Sequence, residues 1–126
     1  MMSAFHNPAL DTQRLATLER HLGDALRPIV ERYFVDCAAM LESLAHHVAE
    51  GNINEIQGIA HRMKGASGTL GMLRLQSCFG IMEEASGVRV SIPDDWIPMA
   101  VHFLDEAKLA YAEHCASPRP RHDSVL

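Results

Sequence analysis

The sequence predicts an all-α fold: an antiparallel up-down four-helix bundle with a short additional N-terminal helix. Three observations predict it. Apolar residues recur at steps of three and four along four long stretches, which marks helices that each bury one stripe. Strand signals are nearly absent; Val88-Arg89-Val90-Ser91-Ile92 alternates, but it is short and runs into Pro93, so it reads as a loop. The stretches are joined by short connections, which favours antiparallel neighbours.

The first helix is expected from about Asp11 to Leu22. Asp11 is its cap, Leu15, Leu18 and Leu22 share a face, and Gly23 stops it. The second runs from Asp24 or Arg27 to Ala49, with Pro28 in its first turn, where a missing N–H costs little. Its stripe is Leu26, Val30, Tyr33, Cys37, Met40, Leu44 and Val48, and Gly51 closes it. The third spans Asn52 to Leu70, capped by Asn52 and ended by Gly71, with a seam of Ile53, Ile56, Ala60, Met63, Ser67 and Leu70. The fourth, Met72 to Ala85, buries Leu75, Cys78, Phe79 and Met82. A loop follows over Ser86 to Pro93. The fifth runs from Asp94, as cap, to His114, with Ile97, Ala100, Phe103 or Leu104, Ala107 and Tyr111 inward. The bundle therefore occupies residues 8–115. Residues 116–126 contain Ser-Pro-Arg-Pro-Arg and no core-forming pattern, and are expected to be a flexible tail.

A chain of 126 residues is one domain with one sizeable core. Its net charge of −5 and pI of about 5.8 argue against wholesale binding to nucleic acid or anionic membrane. No run approaches 18 apolar residues, so no membrane insertion is expected. Met1 to Leu10 has neither the basic start nor the apolar run of a signal peptide. Cys37, Cys78 and Cys115 are odd in number and match no zinc spacing. They read as reduced thiols of a cytoplasmic protein, the first two as core packing.

The third helix departs from the pattern of the others. It carries Gly58, Gly65 and Gly68 in its interior, each at a cost of about 1 kcal/mol relative to alanine. On a helix all three fall within roughly 60° of His61. His61 is one residue off the inward seam, so its imidazole should stand on bare backbone, open to water and to a partner. From Ile56 to Met82 there is no acidic residue, although the chain holds 16; Arg62, Lys64 and Arg74 lie in that window. A locally basic surface around His61 is the expectation, suited to anionic chemistry.

These residues carry a resemblance. The run Ala60-His61-Arg62-Met63-Lys64-Gly65-Ala66-Ser67-Gly68-Thr69-Leu70-Gly71 resembles the motif of the histidine-containing phosphotransfer (HPt) domain family, in outline Ala-His-x-Leu-Lys-Gly followed by small residues and a further glycine. Methionine replaces the usual leucine, a volume-conserving change. Leu18-Glu19-Arg20-His21-Leu22-Gly23 looks like the family's short leading helix, and Met82-Glu83-Glu84-Ala85 like its fourth-helix ending, so the likeness covers about residues 8 to 114. The resemblance implies a phosphorelay carrier. It would accept a phosphoryl group from a receiver-domain aspartate on His61 and pass it to another receiver aspartate. His61 corresponds to the phosphoacceptor, Lys64 to the lysine that stabilises phosphoryl charge, and Gly65 to the clearance glycine. The partners implied are response-regulator receiver domains and a hybrid histidine kinase. Mg²⁺ would come with the receiver, so no intrinsic cofactor or metal is expected, and the carrier is expected to be a monomer without kinase activity of its own.

Beside that resemblance, phosphoryl acceptance needs an accessible imidazole lone pair, in-line geometry and neutralised oxygens. Lys64, one turn from His61, is within reach of a phosphate there. Gly68, two turns on, extends the clearance. Gln57, one turn before, is placed to hydrogen-bond the phosphoryl group or the receiver, and Arg62, about 100° around, belongs to a docking rim. A second hypothesis keeps the fold without the chemistry: a module that regulates a receiver or an unrelated enzyme by docking alone. An autonomous kinase is disfavoured by the lack of a glycine-rich phosphate-binding loop, and a bundle metalloenzyme by the lack of an inward Glu-x-x-His pair. His46-His47 diverge by about 100° on a helix and read as a solvated helix end.

Overall fold

The structure, a computed structural model, describes residues 7–117. Among them are five α-helices and no strand: α1 (Thr12–Leu22), α2 (Leu26–Glu50), α3 (Ile53–Thr69), α4 (Leu73–Gly87) and α5 (Trp96–Ala116), with a 3₁₀ turn, Gly23–Ala25, between α1 and α2. The four long helices form the bundle. α2 packs on α3 and α5, α4 packs on the same two, and the α3–α4 interface is the most extensive. α1 packs on α2 across one end.

Each boundary has a local cause. Asp11 caps α1, its carboxylate accepting from the Arg14 N–H at 3.0 Å. Pro28 is the third residue of α2, where no intrahelical N–H is lost. Gly51 ends α2 in the left-handed region, φ 72°. Gly71 turns the chain from α3 into α4 at φ 73°, and a Cβ there would also lie 3.2 Å from the Asp11 carbonyl oxygen. Asp11 N–H donates to the Gly71 carbonyl at 2.8 Å, Leu73 N–H to that of Ala9, and the Arg14 guanidinium to that of Thr69. The segment before α1 is thereby clamped onto the α3–α4 turn.

The core is one cluster, and it corrects four expected stripe positions. In α2, Leu41 is buried where Met40 was expected, and Val48 is only half-buried. Phe34 joins the stripe because α2 faces two neighbours, which widens the buried face beyond a single line. In α3, Ile59 is buried and Ile53 only partly. In α5, Trp96 takes the place of the half-buried Ile97, and Phe103 and Leu104 are both buried. Both expected side-chain caps at Asn52 and Asp94 are also corrected. The Asn52 amide turns back to His47 Nδ1 and Glu50, and α5 begins after Asp95, without a side-chain cap. α5 extends to Ala116, so the expected tail starts one residue later, and residues 118–126 of it lie outside the described residues. Cys37 and Cys78 are fully buried and free; burial pushes their thiols up, to about 11 and about 12.

Ser67 is a fully buried polar residue of the core, and it is satisfied by the Tyr33 hydroxyl at 2.5 Å. Burial drives the Tyr33 phenol far above its usual range, so this is a bond between two neutral hydroxyls joining α2 to α3. Tyr33→Phe strands the Ser67 hydroxyl and should cost about 1–3 kcal/mol, seen as a lower urea midpoint. Adding Ser67→Ala removes the stranded group, so the double variant should be no less stable than Tyr33→Phe alone. A further additive loss would show that the two hydroxyls do not act as a pair.

Candidate functional site

His61 leaves α3 one residue after the fully buried Ala60, at the outer edge of the α3–α4 seam. Its side chain is 67% exposed, so the imidazole projects from the bundle into water as the spacing predicts. The surface around it is not simply the locally basic one expected. Glu83, the first acidic residue beyond the acid-free window, comes from α4 and occupies the seam beside it. The window was empty in sequence, but an antiparallel neighbour supplied the carboxylate in space.

One Glu83 oxygen, Oε2, lies 2.6 Å from His61 Nδ1, and the other, Oε1, lies 2.7 Å from Lys64 Nζ. The Lys64 ammonium, seconded by the His61 contact, holds the Glu83 carboxyl below the usual glutamate range. An ionised carboxylate only accepts hydrogen bonds. The proton on the 2.6 Å bond therefore belongs to His61 Nδ1, and in the neutral ring Nε2 is left with its lone pair. The fixing partner of the tautomer, which sequence reasoning did not find, is Glu83.

α3 and α4 meet along this seam in a constant antiparallel register. Steps of four, three and four residues lead up α3 through Gln57, His61, Lys64 and Gly68. The same steps lead down α4 through Gly87, Glu83, Gly80 and Gln76. The Gln57 amide nitrogen lies 3.2 Å from where a Gly87 side chain would begin, so Gln57 leans onto the end of α4 one turn below His61. Lys64 crosses the backbone of α4 at Gly80.

The three α3 glycines fall into two kinds. A Cβ at Gly58 or Gly65 would meet nothing within 4 Å, so packing supplies no reason for glycine there. Gly68 is different: a Cβ would stand 2.5 Å from the Gln76 amide nitrogen, and that amide covers the backbone which sequence reasoning had left bare. Arg62 is exposed on the next position around the helix. Arg74, counted in the basic window, is turned away to the Asn7 carbonyl and to Glu106 at 2.9 Å. His46 and His47 form the solvated helix end expected, engaged with Glu50 and Asn52. Among the described residues no cluster of three or more His, Cys, Asp or Glu side chains is placed to hold a metal ion, and no helix is long and apolar enough to cross a membrane.

The signals for Glu83 and Gly80 were present in the sequence. Gly80 is a glycine in the interior of a helix, and Glu83 stands on the same face one turn on. Only the register between the helices shows that this face meets His61 and Lys64.

Comparison with known proteins agrees with this fold. Curated protein sequences give no significant match. Among solved structures, the chain is similar to the crystal structure of histidine-containing phosphotransfer protein B (HptB) from Pseudomonas aeruginosa PAO1, with a TM-score of 0.80 over 89% of this chain and 98% of that one. At 20% identity that likeness carries the fold. The family model for the Hpt domain matches residues 28–110, from the first turn of α2 almost to the end of α5, leaving α1 outside. With two-thirds of its length matched by that model, the chain belongs to the Hpt domain family.

Proposed function

We propose that this protein is a phosphorelay carrier of two-component signalling, with His61 accepting a phosphoryl group from one receiver-domain aspartate and returning it to another. The observation that carries this reading is the division of the His61 ring: Nδ1 is held by Glu83 in the seam, while the side chain as a whole projects into water. In the forward step the Nε2 lone pair attacks phosphorus, the bond from phosphorus to the aspartyl oxygen breaks, and the aspartate leaves as a carboxylate. The Nδ1 proton stays in place, so the ring becomes a cation. Glu83, already ionised, faces that charge and stabilises it. In the return step the ring departs as a neutral imidazole, a good leaving group, and the transfer runs both ways.

Lys64 supplies positive charge one turn from His61, and Gly58 and Gly65 leave the approach to the ring unobstructed. Gln57 and Arg62 flank it and are placed to meet a receiver. Mg²⁺ is a constituent of the receiver's site in this scheme, and kinase activity resides in a partner. Three free cysteines agree with work in a reducing compartment such as the cytoplasm.

Incubation with a phosphorylated receiver tests the reading. The wild type should take up label, and His61→Gln, at an exposed position, should remain folded and take up none. Label on His61→Gln, or none on the wild type with any receiver offered, overturns it. Gly65→Arg should block transfer by obstruction; regulation of a partner that survives His61→Gln and is lost in Gly65→Arg would instead mark a docking module.

Glu83→Gln keeps the shape but loses the charge. It should slow transfer by about tenfold or more, the scale seen when the hydrogen-bond partner of a metal-ligating imidazole is removed. The pH dependence has a definite sign. Because Glu83 titrates below its ordinary value, its grip on His61 and Lys64 is complete above the usual glutamate range and is lost only as pH falls through the depressed value. Carboxylate NMR should place the Glu83 midpoint below that of an ordinary glutamate, and Lys64→Ala should raise it.

A further inference from the structure

Three of the four rungs along the α3–α4 seam pair a long polar side chain with a glycine: Gln57 with Gly87, Lys64 with Gly80, and Gln76 with Gly68. Gly80 is the one that touches the chemistry. It lies inside α4 with ordinary helical backbone, since the glycines at positive φ are Gly23, Gly51 and Gly71. No turn requires it, and it costs the helix about 1 kcal/mol relative to alanine. A Cβ at this position would stand 3.3 Å from Lys64 Cδ and 4.0 Å from Cγ. The lysine stem thus runs over the bare backbone of α4, and its ammonium comes down on Glu83 one turn further along.

The geometry points to Gly80 as a positioning residue for phosphoryl transfer: its missing side chain is the channel through which Lys64 reaches Glu83, so that one carboxylate holds both the ammonium and His61 Nδ1. The inference rests on the carrier reading of His61 and extends it to a residue that touches no reacting atom. A Cβ alone would press the lysine stem aside by a few tenths of an ångström, and a larger side chain at position 80 would lift it away from α4. The ammonium would then leave Oε1, and the carboxylate, freed at one oxygen, would no longer fix the plane in which it holds the imidazole.

The test uses Gly80→Ala and Gly80→Leu, each alone and combined with Lys64→Ala. The first readout is the Glu83 carboxylate titration followed by NMR, which needs no phosphate. Gly80→Leu should raise the Glu83 midpoint as Lys64→Ala does, and Gly80→Ala should raise it less. The second is label transfer from a phosphorylated receiver. Gly80→Leu should slow it to the Lys64→Ala level within about twofold, and should add no further loss in the Lys64→Ala background. The third is thermal unfolding, where Gly80→Ala should be no less stable than the wild type because alanine replaces an interior glycine. A Glu83 midpoint unmoved by both Gly80 substitutions, or a transfer loss that multiplies that of Lys64→Ala, overturns the assignment. Should the wild type accept no label, the carrier reading falls, and the titration still decides whether Gly80 opens the path to Glu83.

Discussion

The Glu83 carboxylate, gripped from both sides, is the contact on which the rest of the site depends. It comes from α4, while both groups that it holds come from α3. The position of the imidazole is therefore a property of the interface between two helices and not of the helix that carries it. Slipping α4 by a single residue would move the carboxylate about 1.5 Å along the axis and about 100° around it, and both contacts would break. What prevents the slip is apolar packing behind the seam. Leu75, Cys78, Phe79 and Met82 of α4 are all buried in the same core as Ala60 and Met63 of α3. The core thus sets the register, and the register sets the chemistry.

The α3–α4 turn fixes that register at its other end. Gly71 is demanded twice, by its left-handed backbone and by the nearness of the Asp11 carbonyl. The hydrogen bonds from Asp11, Arg14 and Leu73 tie the segment before α1 onto the turn. α1 adds little to the core beyond Leu15, yet its Arg14 is bonded to the Thr69 carbonyl at the end of α3. The short helix, which lies outside the matched family span, is thereby tied to the turn between the two helices that carry the site.

Helix number, order and approximate ends were legible because the apolar periodicity is strong and Gly23, Gly51 and Gly71 punctuate it. His61 was legible as an exposed imidazole because it stands one residue off a regular seam. The errors share a cause. Met40 in place of Leu41 came from drawing one line of contacts on a helix that has two neighbours. The basic surface expected around His61 came from reading charge along the chain, when the nearest carboxylate crosses from the next helix. Gly68 looked like Gly65 for the same reason: its helix says nothing of Gln76, which lies over it from α4. One-dimensional pattern tells which face a residue occupies, but the pairing of faces needs the register of the antiparallel partner.

The proposed carrier chemistry makes opposing demands on the His61 ring. The reacting nitrogen must be open, because an aspartyl phosphate on another protein has to approach it in line. The other nitrogen must be held, because a freely turning imidazole would offer either tautomer at any angle. Burying the whole ring would meet the second demand and defeat the first; full exposure would do the reverse. The seam resolves the conflict by splitting the environment across about the width of one imidazole. Glu83, with its side chain only 21% exposed, is sheltered enough for its hydrogen bonds to direct the ring, while His61 at 67% remains in water. In the proposed reaction the same carboxylate would answer the charge that the ring acquires on phosphorylation. Tight helix packing on one side of His61 and empty glycine positions on the other are two halves of one requirement.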